Sequence, residues 1–278
     1  MPELPEVETT VNELRPQLTG RQISSVEVLA PKTIQTPRAE EFISGLTGRR
    51  ISKLSRRGKH LIFTLDNQKT LIIHLRMTGS LLIKTVSDLP EKFVRVILKF
   101  DDGSALHFRD VRRFGRMWLV EDENEVVGKL GPEPLSDEFT PPVLADIFKG
   151  RQTPIKGLLL DQTLIAGIGN MYADEALYHA RLHPLRPAGS LNKKEVAALH
   201  KAIQYVLNKG IRNKGASTDT YFRPSGSKGA AHLEFQVAHR KGQECPGCQG
   251  TIERITVQQR GTFYCPGCQK LKAPDLPT

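Results

Sequence analysis

The stretch LIAGIGNMYADEAL (164–177) decides how the second half of this chain folds. An apolar run with helical spacing, TPIKGLLLDQ (153–162), leads into it, and the pattern predicts a helix ending near Gln162. Gly167 and Gly169 permit tight turns, and Asn170 is placed to cap a second helix over the residues that follow. Successive backbone amides in such a turn, followed by a helix N-terminus, create an anion site suited to a phosphate. Short glycine-rich turns between helices are common, so this stretch alone is equally consistent with an ordinary helix connection.

Working outward, PPVLADIFKG (141–150), NMYADEALYHARL (170–182) and NKKEVAALHKAIQYVLNKG (192–210) carry apolar residues at three- and four-residue intervals and predict an α-helical domain. Upstream, VGKLGPEPLS (127–136) alternates glycine and proline with polar residues and reads as a linker. From Gln22 to about Glu121 the pattern is β-like: ISSVEVL, LIFTLD, LIIHLRM, FVRVILKF, ALHF and MWLVE are separated by Gly, Asp and Asn turns. That predicts a mostly antiparallel sandwich. Ahead of it, Val7, Val11, Leu14 and Leu18 predict a helix up to Thr19-Gly20, with Pro5 in its first turn and Glu6 and Glu8 at the positive end of its dipole. Pro16 is expected to kink that helix or end it early. The stretch from Lys214 to His232 is rich in Gly, Ser and Lys and is expected to be a mobile loop.

All four cysteines lie at the C-terminal end, where Cys245, Cys248, Cys265 and Cys268 form C-x2-C-x16-C-x2-C. Two CxxC knuckles at this separation place four thiolates around one Zn²⁺. Disulfides are the alternative, disfavoured by the expected cytosolic setting. Between the knuckles, TIERITV and TFYC read as two strands joined at QQRG, which puts Arg260 at the tip of a hairpin.

Forty Lys and Arg against 30 Asp and Glu give a formal charge of +10, an imbalance suited to a polyanionic partner. The excess sits in short clusters, SRRGKH (55–60), RDVRRFGR (109–116) and GIRNKG (210–215), as on a shaped groove. No apolar run approaches the ~20 residues that span a bilayer, and the N-terminus is acidic, so no membrane helix or signal peptide is expected. A cytoplasmic location follows as the expectation.

Two further groups carry chemistry. Met77, read as ending a strand, and Arg112 and Phe114, in a turn after another strand, supply a flexible apolar group, a cation and an aromatic that could wedge into a base stack. At the start of the chain, removal of Met1 is expected because Pro2 is small, and this exposes a secondary amine with a pKa near ~8. Condensed with a sugar aldehyde carbon, such an amine gives only a charged iminium, an electron sink for elimination. Glu3 beside it can move the protons.

Together, MPELPEVE, RRGK, HLRMTG, RDVRRFG, LGPEPL, LLLDQTLIAGIGNMYADEAL and the four-cysteine ribbon, in this order over essentially the whole chain, resemble the bacterial formamidopyrimidine-DNA glycosylases, AP lyases that repair 8-oxoguanine. The resemblance implies an α+β multidomain protein: a helix-capped antiparallel β-sandwich (1–126), a linker (127–136), a helix-two-turn-helix domain (137–243) with a lesion-capping loop near 217–235, a zinc-finger β-hairpin (244–270) and a tail (271–278). It implies duplex DNA with damaged bases or abasic sites as partner, bound in a cleft between the lobes by a monomer holding one Zn²⁺. Pro2 would be the Schiff-base nucleophile, Glu3 the proton donor and Glu6 a supporting group. Lys59 would donate a proton in β-elimination and Arg260 in δ-elimination. Lys59, His74, Asn170 and Arg260 would grip phosphates, Lys156 and Tyr172 would also contact DNA, and Met77, Arg112 and Phe114 would fill the void left by the extruded nucleotide.

The chain departs from the family pattern at Ala230 and Ala231, where an aromatic pair is usual, at VAHR (237–240), where VYGR is common, and in EKFVRV (91–96), which lacks the histidines often found there. The lyase residues are intact, so the reaction class is better founded than the base preference. The related endonuclease VIII group, acting on oxidised pyrimidines, typically lacks the RRFG wedge. A non-catalytic damaged-DNA-binding protein is the reading from another class, opposed by the presence of both Pro2 and Glu3.

Overall fold

The computed structural model describes residues 1–218 and 220–271. These form two compact units, one of residues 1–129 and 210–231, the other of residues 130–209 and 232 onward. The expected tail, from residue 272, and Asp219 of the expected capping loop lie outside the described residues.

The first unit opens with α1 (Leu4–Leu18). Its apolar stripe, Leu4, Val7, Val11, Leu14 and Leu18, is fully buried, each side chain contributing about 1.5–3 kcal/mol. Pro16 lies inside the helix without ending it, and the helix runs to Leu18 with Thr19 as its C-cap, as the spacing predicts. There follow β1 (Ile23–Val28), β2 (Ile34–Thr36), α2 (Ala39–Leu46), β3 (Ile51–Arg57), β4 (His60–Leu65), β5 (Thr70–His74), β6 (Gly79–Thr85), β7 (Val94–Phe100), β8 (Ser104–Asp110), β9 (Arg116–Val120) and α3 (Asn124–Val127). One sheet has the order β1-β7-β8-β6 and the other β2-β9-β5-β4-β3. Pairing is antiparallel except between β2 and β9. Inner-face residues such as Phe63, Leu71, Ile73, Val96, Leu98, Leu106 and Phe108 build one core with the buried stripe of α1. The short helix α2 escapes a β-like reading because only Phe42 and Leu46, one turn apart, carry its buried face.

The second unit holds α4 (Pro141–Phe148), α5 (Ile155–Leu160), α6 (Asn170–His179) and most of α7 (Lys193–Arg212), then the hairpin β10 (Glu253–Val257) and β11 (Arg260–Tyr264). Helix α5 stops two residues before the expected end, with Asp161 at its C-terminus. The turns to α6 are stapled by Gln162, whose amide donates to the carbonyl of Ile168 (2.8 Å) and whose oxygen accepts from the Gly167 N–H (2.9 Å). Glu175 of α6 is buried and accepts N–H bonds from Gln236, Val237 and Ala238 at 2.8–3.0 Å, tying the strap before the cysteines to this helix. Burial raises its carboxyl above the usual range.

Candidate functional site

In the first unit the candidate chemistry gathers at the head of α1. Pro2 is buried, and Glu3 occupies the N-cap with 2% of its surface exposed. Glu3 and Glu6 form a capping box, in which the Glu3 N–H donates to Glu6 Oε2 at 2.8 Å. The second Glu6 oxygen, Oε1, accepts the Ala216 N–H at 2.7 Å, so one fully buried carboxylate joins the first turn of α1 to the segment that holds Ala216. Gly215 makes this approach possible: its φ is +75°, and a Cβ there would stand 3.0 Å from Glu6 Cγ.

The segment read as a mobile loop is anchored to the sandwich and α1 at Ala216, Tyr221, Phe222 and Arg223. Tyr221 donates its hydroxyl to the Glu6 carbonyl (2.9 Å), Phe222 N–H donates to Ser80 Oγ (3.1 Å), and Arg223 pairs with Glu13 (2.5 Å). A bridge between Ala216 and Ala230 closes it on itself. Of the residues expected near 217–235, those through Ala231 group with the sandwich. Local composition could not show this, since every anchor lies some 140 residues or more away in sequence.

Lys59 sits in the two-residue turn of the β3–β4 hairpin, opened by Gly58 at φ +56°. It is largely buried, beside Arg56 and Arg57. Directly across the next strand pair, His60 faces His74, ring edge to ring face at 4.6 Å. His74 Nδ1 accepts the Arg76 N–H at 2.9 Å, so the neutral ring carries its proton on Nε2 and presents a donor. Burial is the main force lowering both histidines, His60 to about 4; Arg76, Lys59 and Arg57 add repulsion at His60, and His60, Arg76 and Lys59 add it at His74. Because the His60 value lies below the ordinary 6.5, its contribution is complete above pH ~6.5 and is lost as pH falls toward 4. Wild-type stability should therefore drop by up to about 3 kcal/mol more than that of His60→Phe between pH 7 and 4, read from urea midpoints at each pH. Parallel pH profiles of the two proteins would contradict this.

Met77 lies in the turn between β5 and β6, not at a strand end as expected, and is 40% exposed. Phe114, 43% exposed, sits in the turn after β8 with the Arg112 guanidinium 4.8 Å from its ring centre. The two turns are locked together by residues that sequence reasoning missed. Buried Thr78 donates to Asp110, and Asp110 accepts the N–H groups of Gly115 (2.7 Å) and Arg112 (3.3 Å). The Arg112 N–H also reaches Thr78 Oγ1 at 3.0 Å. An aspartate ending a strand before RRFG was the only available signal.

In the second unit, Asn170, Lys156 and Tyr172 each pack against a neighbouring element. Asn170 is the first residue of α6 while Gly169 holds the cap, so the predicted capping role is not observed. The Asn170 amide donates to the Gly261 carbonyl at 2.9 Å. Lys156 is fully buried, with Nζ 2.5 Å from Asp174 Oδ1 and 2.8 Å from Thr262 Oγ1. Tyr172 is 1% exposed, its ring edge-on to Phe235. The hairpin covers the first and the strap the second. Asp174, unnoticed in the sequence, accepts the Phe263 N–H at 3.0 Å. Burial pushes its carboxyl up to about 7 against the pull of Lys156.

Arg260 is exposed at the hairpin tip, paired with Val257 across Gln258 and Gln259, whose φ values of 45° and 62° define a turn matched to strand twist. The four cysteines are unlinked, and their sulfurs all lie within 4.8 Å of one another. Four thiolates about ~2.3 Å from a tetrahedral Zn²⁺ would stand at comparable separations, so the donor set fits that ion. The Tyr178 hydroxyl lies 3.4 Å from Cys245 Sγ, an outer contact of the kind that orients a ligand. Among the described residues no helix is long and apolar enough to cross a membrane.

Three family models match the chain. One described as the formamidopyrimidine-DNA glycosylase N-terminal domain covers residues 1–117, one described as the H2TH domain of the same protein covers 130–221, and one described as a zinc finger found in FPG and IleRS covers 242–271. The chain is 45% identical over 275 residues to the formamidopyrimidine-DNA glycosylase of Protochlamydia amoebophila, covering 97% of this chain and 100% of that protein. It is similar to the solved structure of Lactococcus lactis Fpg with abasic-site DNA, with a TM-score of 0.90, 36% identity, and coverage of 97% and 100%. The same enzyme with DNA containing N7-benzyl-Fapy-dG gives a TM-score of 0.91 at 37% identity and the same coverage.

Proposed function

The chain belongs to the formamidopyrimidine-DNA glycosylase family and is a DNA glycosylase of base excision repair, and we propose that it removes 8-oxoguanine and formamidopyrimidines from duplex DNA through a Schiff base on Pro2. Its four-cysteine ribbon is a zinc finger holding one zinc ion through Cys245, Cys248, Cys265 and Cys268, where the metal organises the hairpin and takes no part in bond making.

The observation that carries the reading is the head of α1: a proline at position 2, directly followed by a buried glutamate that shares a capping box with a second buried glutamate. Once Met1 is removed, the Pro2 nitrogen attacks C1′ of an extruded nucleotide. The bond from C1′ to the base breaks and the base leaves with a proton; the C1′–O4′ bond then opens, O4′ takes a proton, and the nitrogen lone pair makes the iminium that joins C1′ to the proline. Glu3 moves protons at this centre. A base then removes a C2′ proton, the electron pair of that bond passes into the iminium, and the C3′–O bond breaks to expel the 3′-phosphate; removal of a further sugar proton, from C4′, breaks the C5′–O bond and expels the 5′-phosphate. Lys59 serves the first elimination and Arg260 the second. Glu6 holds the Glu3 amide and the 210–231 segment together.

Phosphate contacts are assigned to Lys59, His74 through Nε2–H, Asn170 and Arg260. Met77, Arg112 and Phe114, exposed on joined turns, suit a wedge that offsets the few kcal/mol of base extrusion. The exposed Arg112–Phe114 pair favours purine over pyrimidine lesions. On this reading the protein works as a monomer on DNA in the bacterial cytoplasm. A single-turnover excision panel of 8-oxoguanine, formamidopyrimidine and oxidised pyrimidine duplexes tests the preference. The two purine lesions should be released fastest, and faster release of the pyrimidine would replace the assignment with an endonuclease VIII-like one.

A further inference from the structure

A buried ion pair is an inefficient way to hold a protein together. Desolvating each charge costs several kcal/mol, and apolar residues of similar volume often serve stability as well or better. Lys156 and Asp174 form such a pair, with 0% and 1% of their side chains exposed. What a charged pair supplies that an apolar pair does not is direction, and the direction here is specific.

The Lys156 ammonium reaches three acceptors: Asp174 Oδ1 on α6, and Thr262 Oγ1 and the Gly261 carbonyl (3.4 Å) on β11. The other Asp174 oxygen accepts the Phe263 N–H. Asn170, at the start of α6, donates to the same Gly261 carbonyl. Three consecutive residues, Gly261, Thr262 and Phe263, are therefore held to α5 and α6, and they immediately follow Arg260. On α5, Gly157 has no side chain where a Cβ would stand 2.2 Å from Gln258 Oε1, so the turn residue packs directly on the helix.

We propose that Lys156 and Asp174 are positioning residues for Arg260, pinning the tip of the zinc hairpin to the helix-two-turn-helix element so that its guanidinium is presented at a defined place beside Asn170. The inference rests on the reading of Arg260 as a phosphate contact. The cysteines hold only the base of the hairpin, through Cys265 just after β11. An isolated two-stranded ribbon is marginally stable, so a second fixed point is needed to prevent its far end from swinging. A slip of one residue along β11 would also turn every side chain to the opposite face and break all of these bonds at once.

A double-mutant cycle on the full-length, zinc-loaded protein tests this, with a duplex carrying a tetrahydrofuran abasic analogue as the probe. Arg260→Ala should lower affinity roughly tenfold and reduce the slope of log affinity against log salt by about 1. Lys156→Met combined with Asp174→Leu keeps the volume apolar, and should reproduce both losses with full zinc content. All three changes together should lose no more than Arg260→Ala alone. If the apolar swap sheds zinc, Thr262→Val is measured in its place under the same criteria. Wild-type affinity and slope in the swap, or losses that multiply with that of Arg260→Ala, would overturn the positioning role while leaving Arg260 as a DNA contact. An Arg260→Ala protein indistinguishable from wild type would instead remove that contact, and the positioning role with it.

Discussion

Adding one residue ahead of Pro2 should abolish strand cutting at an abasic site, by on the order of 10³-fold or more, while leaving affinity for the same duplex nearly unchanged. The extension turns the proline nitrogen into a tertiary amide, whose lone pair is delocalised into the carbonyl and cannot attack C1′. Nothing else at the head of α1 replaces it, because Glu3 and Glu6 are committed to the capping box and to the Ala216 amide. Met1 is 45% exposed with Pro2 buried behind it, so the methionine is accessible to the peptidase that must remove it. Pro2→Gly should also lose activity, since a primary amine changes the basicity and geometry of the iminium. The readouts are the nicking rate and the borohydride-trapped adduct, which should vanish together in the extended protein. Undiminished nicking in the extended form would end the Schiff-base assignment.

Removing zinc should cost nearly all duplex binding, at least about 10²-fold, and release one metal ion per chain. Structural zinc contributes about 10–16 kcal/mol to small finger modules. The finger has little to set against that loss, since the apolar cluster around it comprises Val237, Ile252 and the two ligand cysteines Cys245 and Cys265, with Tyr178, Phe263 and Cys268 packed alongside. Without the metal the hairpin base opens, and Arg260 is no longer held at one end. The sandwich of the first unit draws on its own large core and should keep its fold. Chelator titration followed by a metal-sensitive dye, binding of an abasic-analogue duplex and far-ultraviolet circular dichroism separates these effects. Zinc-free protein with native affinity would show that the finger does not grip DNA.

Much of the site is written in short-range pattern. The stripe of α1, the capping glutamates, the two CxxC knuckles and the turn that presents Arg260 each depend on residues within a few positions of one another. Periodicity and spacing report such features directly, because the backbone geometry of one turn or one hairpin is all they need. Side-chain burial is a different matter. Nothing near Lys156 and Tyr172 in sequence reports their burial, because β11 and Phe235, reached only after about sixty residues or more, cover them.

The same holds for the locks that give the site its shape. Thr78 meets Asp110 across 32 residues, and Glu6 meets Ala216 across 210. Local sequence thus supplied the candidate groups for the chemistry and the order of most of the elements. Folding in three dimensions settled which of those groups face solvent, which are spent holding another in place, and which segment closes on the N-terminal helix. Burial and hydrogen-bond partnership depend on what packs over a residue, and that is chosen by long-range pairing that no local periodicity encodes.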